Sequence, residues 1–136
     1  MKYIFPAAAF VLLSACATTA QPPLPELANS HWRFERIDGA APVSPRAHLE
    51  FKPDRISATV GCNGLGGDWR IDGSRIVTGP FMSTRMFCEG LMEQERAVSD
   101  LLSASPGWKL AENRLELDGA GHRAVLVRVS PPRRTP

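Results

Sequence analysis

The sequence predicts a mainly β protein of the α+β class, a small antiparallel barrel-like meander with one inserted α-helix. Apolar and polar residues alternate in several short stretches from residue 31 onward, as in strands with one buried face. A single stretch near residue 90 follows the helical period instead. Turn-forming residues separate these stretches, and strands with one apolar face must curl or be covered.

The first strands lie between residues 31 and 60. The stretch HWRFERID (31–38) alternates, and the two prolines of GAAPVSPR (39–46) make that stretch a loop, because proline cannot donate to a ladder. The alternating stretches RAHLEFK (46–52) and RISATV (55–60) flank a short Pro-Asp turn. Together they predict a hairpin.

A second hairpin is predicted further along. Trp69 and Ile71 continue the alternation, and Asp72–Gly73 is typical of a type I′ turn. The stretch 76–78 is then predicted to be the second strand of this hairpin, paired with the strand that contains Trp69 and Ile71.

The period changes to that of a helix in EGLMEQERAVSDLLSA (89–104), which ends at SPG (105–107). The predicted buried face holds Leu91, Val98, Leu101 and Leu102, with Met92 beside it. The predicted solvent face holds Glu93, Gln94, Arg96 and Asp100.

Three further stretches after the helix read as strands, WKLA, RLELD and RAVLVRV, joined at EN and GAGH. The total is about seven short strands. Trp32, Trp69 and Trp108 are expected to fill the core, because aromatic side chains dominate cores of this size.

The N-terminus predicts export. Lys2 precedes an apolar run, Tyr3–Leu13, that is too short to span a bilayer, so residues 1–15 are interpreted as a signal peptide. The sequence Leu13-Ser14-Ala15-Cys16 resembles the bacterial lipobox. That resemblance implies cleavage before Cys16 and lipidation of this residue, which would anchor the protein to a membrane.

Sorting to the periplasmic face of the outer membrane is favoured, because Ala17 stands where an aspartate would resemble an inner-membrane retention signal. Residues 16–30 are predicted to form the lipidated cysteine and a flexible Pro-rich tether, and residues 31–129 one domain. Residues 130–136 are predicted to form a disordered tail with two solvated arginines, Arg133 and Arg134.

Composition argues against several classes of protein. The formal net charge is +2 for 136 residues and falls to near +1 without Lys2, and no basic stripe points to nucleic acid. His31, His48 and His122 are scattered without a carboxylate or cysteine at ligand spacing, so neither a metal nor a cofactor is expected.

The stretch GCNGLGG (61–67) could be a phosphate cradle, a nucleophile turn or half of a disulfide. A phosphate loop needs a lysine and a hydroxyl after the glycines, whereas Asp68 and Trp69 follow. A nucleophilic Cys62 would need a base, and none of the histidines lies in a recognisable signature. The glycine-rich stretch is therefore interpreted as a turn.

Cys62 and Cys88 remain once Cys16 is lipidated, and an exported protein folds in an oxidising compartment. A disulfide between them is predicted, which would fix the glycine-rich turn to the segment that precedes the helix. The alternative, a thiol enzyme that uses Cys62 or Cys88, requires a free thiol of low pKa.

GCNGLGG (61–67), followed by STRMFCEG (83–90) and a helix, resembles the META domain, the HslJ-like family of small bacterial envelope proteins. The resemblance covers residues 27–129 and implies a small antiparallel barrel-like fold with one helix. It also implies an association with tolerance of heat and of the antibiotic novobiocin, and it supplies no catalytic residues. Its motif positions here are Gly61, Asn63, Gly64, Gly67, Thr84, Arg85 and Met86.

Two motif residues carry specific expectations. Asn63 is expected to hold the turn through its side chain and to tolerate a left-handed backbone. Arg85 is expected to form a salt bridge with Asp68 or Glu89; the alternative is an anchor for an anionic ligand, which burial of Arg85 would favour.

The sequence thus leads to a non-enzymatic lipoprotein that supports the stressed envelope by binding an envelope protein or other component. The alternatives are a carrier of a small apolar ligand in the barrel mouth and, with less support, the thiol enzyme. The carrier requires the three tryptophans to line a cavity.

Overall fold

The computed structural model describes residues 27–131 and residue 133 of the chain, as nine strands and one helix. In chain order these are β1 (Ser30–Ile37), β2 (His48–Phe51), β3 (Arg55–Thr59), β4 (Gly64–Asp72), β5 (Arg75–Thr78), β6 (Met82–Ser83), α1 (Met92–Ser103), β7 (Gly107–Ala111), β8 (Arg114–Gly119) and β9 (His122–Val129). The predicted signal peptide, Cys16 and residues 17–26 lie outside the described residues, as do residues 132 and 134–136 of the predicted tail.

Eight strands form a closed antiparallel barrel, which confirms the predicted fold class. The sheet runs β3-β2-β1-β9-β8-β7-β5-β4, and β4 pairs again with β3 to close it. The seam between β5 and β7 is the shortest, with one residue pair, Arg75 and Gly107. Strand β6 follows β5 along the edge of β4, where the pairing register shifts by one residue.

The expectation of about seven strands and a glycine-rich turn over residues 61–67 was wrong in part. Only residues 60–63 connect β3 to β4, whereas Gly64, Gly66 and Gly67 belong to β4 and pair with β3. Glycine has no side chain that could show the alternation of a strand, so this half of β4 has no apolar pattern to detect.

The predicted hairpin at residues 72–73 forms, but with a different turn. Asp72 pairs with Arg75, so the central residues are Gly73 and Ser74, and of these only Gly73 has positive φ. A type I′ turn needs positive φ at both central residues. The turn between β8 and β9 meets that condition, at Ala120 and Gly121.

The core fills the barrel with large apolar side chains. Trp32 is fully buried and Trp69 is 7% exposed, and the Trp69 ring packs edge-on against Phe51 with ring centres 4.8 Å apart. Trp108 is only half-buried and packs against the core from its margin, so the expectation that it fills the core was wrong. At the entry to the barrel Leu27 is fully buried, so the folded domain begins before the predicted boundary at residue 31.

Helix α1 is shorter than the predicted 89–104 and begins after Leu91. It buries Val98, Leu101 and Leu102 against the barrel, as expected for its apolar face. Glu95 lies on the same face and is also buried. The apolar pattern of the sequence predicts no role for this carboxylate.

The two chain ends of the domain lie at one end of the barrel and the glycine-rich motif lies at the other. Ser30 pairs with Phe51, at the end of β2, and His31 pairs with Val129, so the chain enters and leaves at the same end. Thr59 pairs with His48, at the start of β2, so residues 60–63 leave β3 at the opposite end.

Candidate functional site

The disulfide predicted between Cys62 and Cys88 is present. Their Cα atoms lie 5.9 Å apart, and the bond joins the β3–β4 connection to the residues that precede α1. Because both sulfurs are in this bond, neither cysteine offers the free thiol that a thiol enzyme would need.

Asn63 connects three parts of this end of the barrel through its side-chain amide. The side chain is nearly fully buried. Its Oδ1 accepts hydrogen bonds from the Met86 N–H at 2.7 Å and from the Thr84 hydroxyl at 2.9 Å. Its Nδ2 donates to the Met86 carbonyl at 2.9 Å and to Glu95 Oε2 at 2.8 Å. All four hydrogen-bonding positions of the amide are therefore occupied.

Glu95 completes this network from the helix. Its Oε1 accepts the backbone N–H of Asn63 at 2.8 Å, so the two carboxylate oxygens bond to the backbone and side chain of one residue. A buried carboxylate is costly unless such donors meet it. Asn63 thus holds the connection through its side chain, as expected, but its backbone is not left-handed.

The motif glycines differ in what they require. Gly61 has a φ of +114°, and a Cβ there would lie 2.5 Å from the Ser44 hydroxyl oxygen, so only glycine fits without strain. A Cβ on Gly67 would meet the Pro80 carbonyl at 3.1 Å. A Cβ on Gly64 would meet nothing within 4 Å.

Residues 82–88, which we call the rim segment, run along the edge of β4 toward the disulfide. Thr84 binds it to β4, because its N–H donates to the Gly64 carbonyl and its hydroxyl accepts the Gly64 N–H, each at 3.2 Å. Met86 is attached through its backbone to Asn63, which leaves its side chain exposed.

Arg85 does not form the expected salt bridge. Asp68 instead pairs with Arg55 on β3, at 3.1 Å. Arg85 is exposed and makes no ion pair with any residue that the structure describes, Glu89 included. Since Arg85 is also not buried, the observation that would have favoured an enclosed anion site is missing.

The large exposed apolar side chains of residues 27–131 gather at this end. Met82, Met86 and Phe87 in the rim segment are 76%, 58% and 81% exposed. Val43 is 60% exposed in the loop after β1, where its N–H donates to Gln94 on α1 and the next residue, Ser44, packs on Gly61. An apolar group around a free arginine is typical of a surface that contacts another molecule.

Two features of this site were not predicted from the sequence, the buried Glu95 and the exposed apolar side chains of the rim segment. For Glu95 a signal existed, because it precedes Val98 by three residues and Leu102 by seven, on the helix face that was predicted to be buried. For Met82 and Phe87 the sequence contains no pattern that predicts exposure. Their exposure depends on where β6 stops pairing with β4, which is a tertiary property.

A separate polar cluster lies near the start of β9, where His122 Nδ1 lies 2.7 Å from Asp38 Oδ2. Partial burial acts to raise the pKa of Asp38, but the Arg123 N–H and the His122 ring outweigh it and lower the pKa below its ordinary value. The contacts explain Asp38 as a support for the tight turn after β1. No group of side chains suited to hold a metal ion occurs among residues 27–131 and 133.

Comparison with known proteins establishes the family. The sequence model of the META domain matches residues 25–131, which is most of the chain. The chain belongs to the META domain family. No curated protein matches its sequence. No helix in the described part of this META domain protein is long and apolar enough to cross a bilayer.

Two solved structures share the fold. One NMR structure has 20% sequence identity and a TM-score of 0.66, and the match covers 79% of this chain and 95% of that one. An NMR structure of a protein from Burkholderia xenovorans has 18% identity and a TM-score of 0.62, over 96% of this chain and all of that one. At these identities the likeness concerns the fold alone.

Proposed function

We propose that this META domain protein is a non-enzymatic lipoprotein of the outer membrane, on its periplasmic face, that supports the envelope under heat and antibiotic stress. It acts by binding an envelope partner through the rim segment. The observation that carries this proposal is the group of exposed apolar side chains at one end of a barrel whose chain ends leave at the other.

The anchor and the surface fit together in this proposal. Lipidation at Cys16 would attach the domain by the end at which Leu27 enters the barrel. At no more than about 3.6 Å per residue, the eleven steps from Cys16 to Leu27 span at most about 40 Å. The tether would join the barrel at the end opposite the rim segment, so the anchor leaves the rim segment free to meet a partner.

The packing of the site supports a binding function for the rim. Exposed apolar side chains lower the solubility of a protein. A group of them that the fold holds in place is therefore typical of a binding surface. The disulfide, Asn63 and Glu95 all act to hold the rim segment against the barrel. A rigid surface binds at a lower entropic cost than a flexible one.

The two alternatives receive less support. A ligand carrier would need room inside the barrel, whereas Trp32, Phe34 and Phe51 are packed in its core. A thiol enzyme would need one of the two cysteines that form the disulfide. We therefore propose neither.

Complementation of a deletion strain tests the proposal. The double variant Met86→Ser/Phe87→Ser should fail to restore survival after heat or novobiocin, because the exposed apolar contact is lost while the core is untouched. The matched control is Asn113→Ser, in the exposed β7–β8 turn at the other end, which should restore survival fully. Immunoblots must show equal amounts of the three proteins. A rim variant that complements as well as the wild type, or a deletion strain with normal survival, would refute the proposal.

A further inference from the structure

The rim segment is attached to the barrel on one side only: Met82–Ser83 form the short strand β6, and residues 84–88 continue along the same edge without ladder pairs. Strand β6 is the last in the sheet order, beside β4. The Thr84 N–H donates to Gly64, and the N–H and carbonyl of Met86 bond to the Asn63 amide. Between these attached residues, the N–H groups of Ser83, Arg85 and Phe87 donate to no backbone group of the described chain, as expected for the outward groups of an extended segment whose backbone groups alternate in direction.

The outer side of this edge is open. Further back, the same edge is covered by the end of α1, where the Thr78 N–H donates to the Ser105 hydroxyl and the Thr78 hydroxyl donates to the Leu102 carbonyl. Beyond Phe81 this cover stops, and residues 82–87 are all exposed. Within residues 27–131 the edge therefore presents a short row of backbone groups to solvent, a template for a further strand.

The side chains of the edge define which strand would fit. Arg85 and Phe87 lie on one face of the extended segment, and Met82 and Met86 lie on the other. Arg85 has no ion pair within the described chain. A complementary strand carries a carboxylate across from Arg85. The residues directly before and after that carboxylate in the partner strand are apolar.

We propose that the rim segment binds an extended segment of a partner protein by strand addition, and that this segment is apolar with an acidic residue opposite Arg85. The inference rests on the proposed function and names the chemistry of its partner. A protein backbone fits this edge better than a lipid surface does, because the outward N–H and carbonyl groups need hydrogen-bonding partners that acyl chains lack.

Peptide titration followed by NMR tests the proposal on the chain from residue 17 onward, which retains every residue of the described core. The probes are the blocked peptide Thr-Val-Glu-Val-Thr and its counterpart with lysine in place of glutamate. The acidic peptide should shift the amide resonances of Ser83 and Arg85 saturably, and it should bind about fivefold more tightly than the lysine peptide.

Two variants at one position separate the backbone from the side chain. Arg85→Ala should still bind but lose the preference for glutamate over lysine. Arg85→Pro removes an N–H that no contact within the fold uses, and it should reduce binding at least about tenfold relative to Arg85→Ala while the core resonances stay in place.

Three results would contradict the proposal or part of it. The absence of saturable shifts in the wild type overturns it, and so does equal binding by Arg85→Pro and Arg85→Ala. Equal affinity for the two peptides overturns the acidic part of the proposal. Failure of the proposed function looks different, because the peptides would then bind as expected while the rim variants restore survival in the deletion strain.

Discussion

Asn63 supplies with one amide group the hydrogen bonds that a neighbouring strand would give to Met86. The amide accepts the Met86 N–H and donates to its carbonyl, and its remaining positions hold Thr84 and Glu95. Because every polar atom of the group is paired, removal of the amide would leave several groups without partners. This is the physical reason for an asparagine after Cys62.

At the residue scale, the structure distinguishes two glycines that the motif treats alike. Gly61→Ala should lower the free energy of unfolding by about 1–3 kcal/mol, because it puts a side chain at positive φ and against Ser44. Gly64→Ala, the matched control, should change it by less than about 0.5 kcal/mol, since its Cβ would be in open space. Urea unfolding of both variants measures the difference. Equal losses in the two would contradict this account of the motif.

The contacts of some site residues could be predicted from the sequence, and those of others could not. The disulfide was predicted from the two cysteines that remain once Cys16 is assigned to the predicted lipobox, and the role of Asn63 was predicted from its place in a tight connection. The predicted salt bridge between Arg85 and Asp68 does not form, because strand register places Asp68 of β4 next to Arg55 of β3. Register is a tertiary property that local pattern does not contain.

The rim segment is held in place mainly by side-chain hydrogen bonds and the disulfide, and only in small part by strand pairing. Only Met82 and Ser83 form ladder pairs with β4. Beyond them the segment is held by Thr84, by the Asn63 amide and by the disulfide at Cys88. A short element that lacks a core of its own opens readily unless such links hold it.

At the element scale, reduction of the disulfide should loosen this segment before the barrel. The double variant Cys62→Ala/Cys88→Ala should lose about 3–4 kcal/mol of unfolding free energy, because its denatured state is no longer cross-linked. In hydrogen exchange, the Met86 amide should lose more protection than core amides such as that of Leu126. The matched control is Gly64→Ala with the disulfide intact. Unchanged stability together with unchanged protection at Met86 would contradict the role given to the bond.

Elements with a clear apolar period were predictable, and those without one were not. The hairpin of β2 and β3 and the face of α1 were confirmed from alternation and helical spacing. The first half of β4 was missed because three of its first four residues are glycines, and β6 was missed because two residues carry no period.

For the whole molecule, closure of the barrel determines where everything else lies. An even number of antiparallel strands returns the chain to the end at which it entered, so Leu27 and Val129 lie away from the rim. Closure also removes most of the open edge of the barrel itself, apart from the short β5–β7 seam, and β6 stands at the end of the sheet order. The fold class was predictable from composition and pattern, whereas the position of this edge was not, because it depends on pairing across the barrel.

Site-specific photo-cross-linking in the native cell would show whether the rim segment lies against an envelope partner. A photoreactive phenylalanine replaces Phe87 in one strain and Asn113, at the opposite end, in another. We expect a discrete adduct from position 87 that is absent from position 113 and that Arg85→Glu weakens. No adduct from position 87, or the same adducts from both positions, would contradict binding by the rim segment.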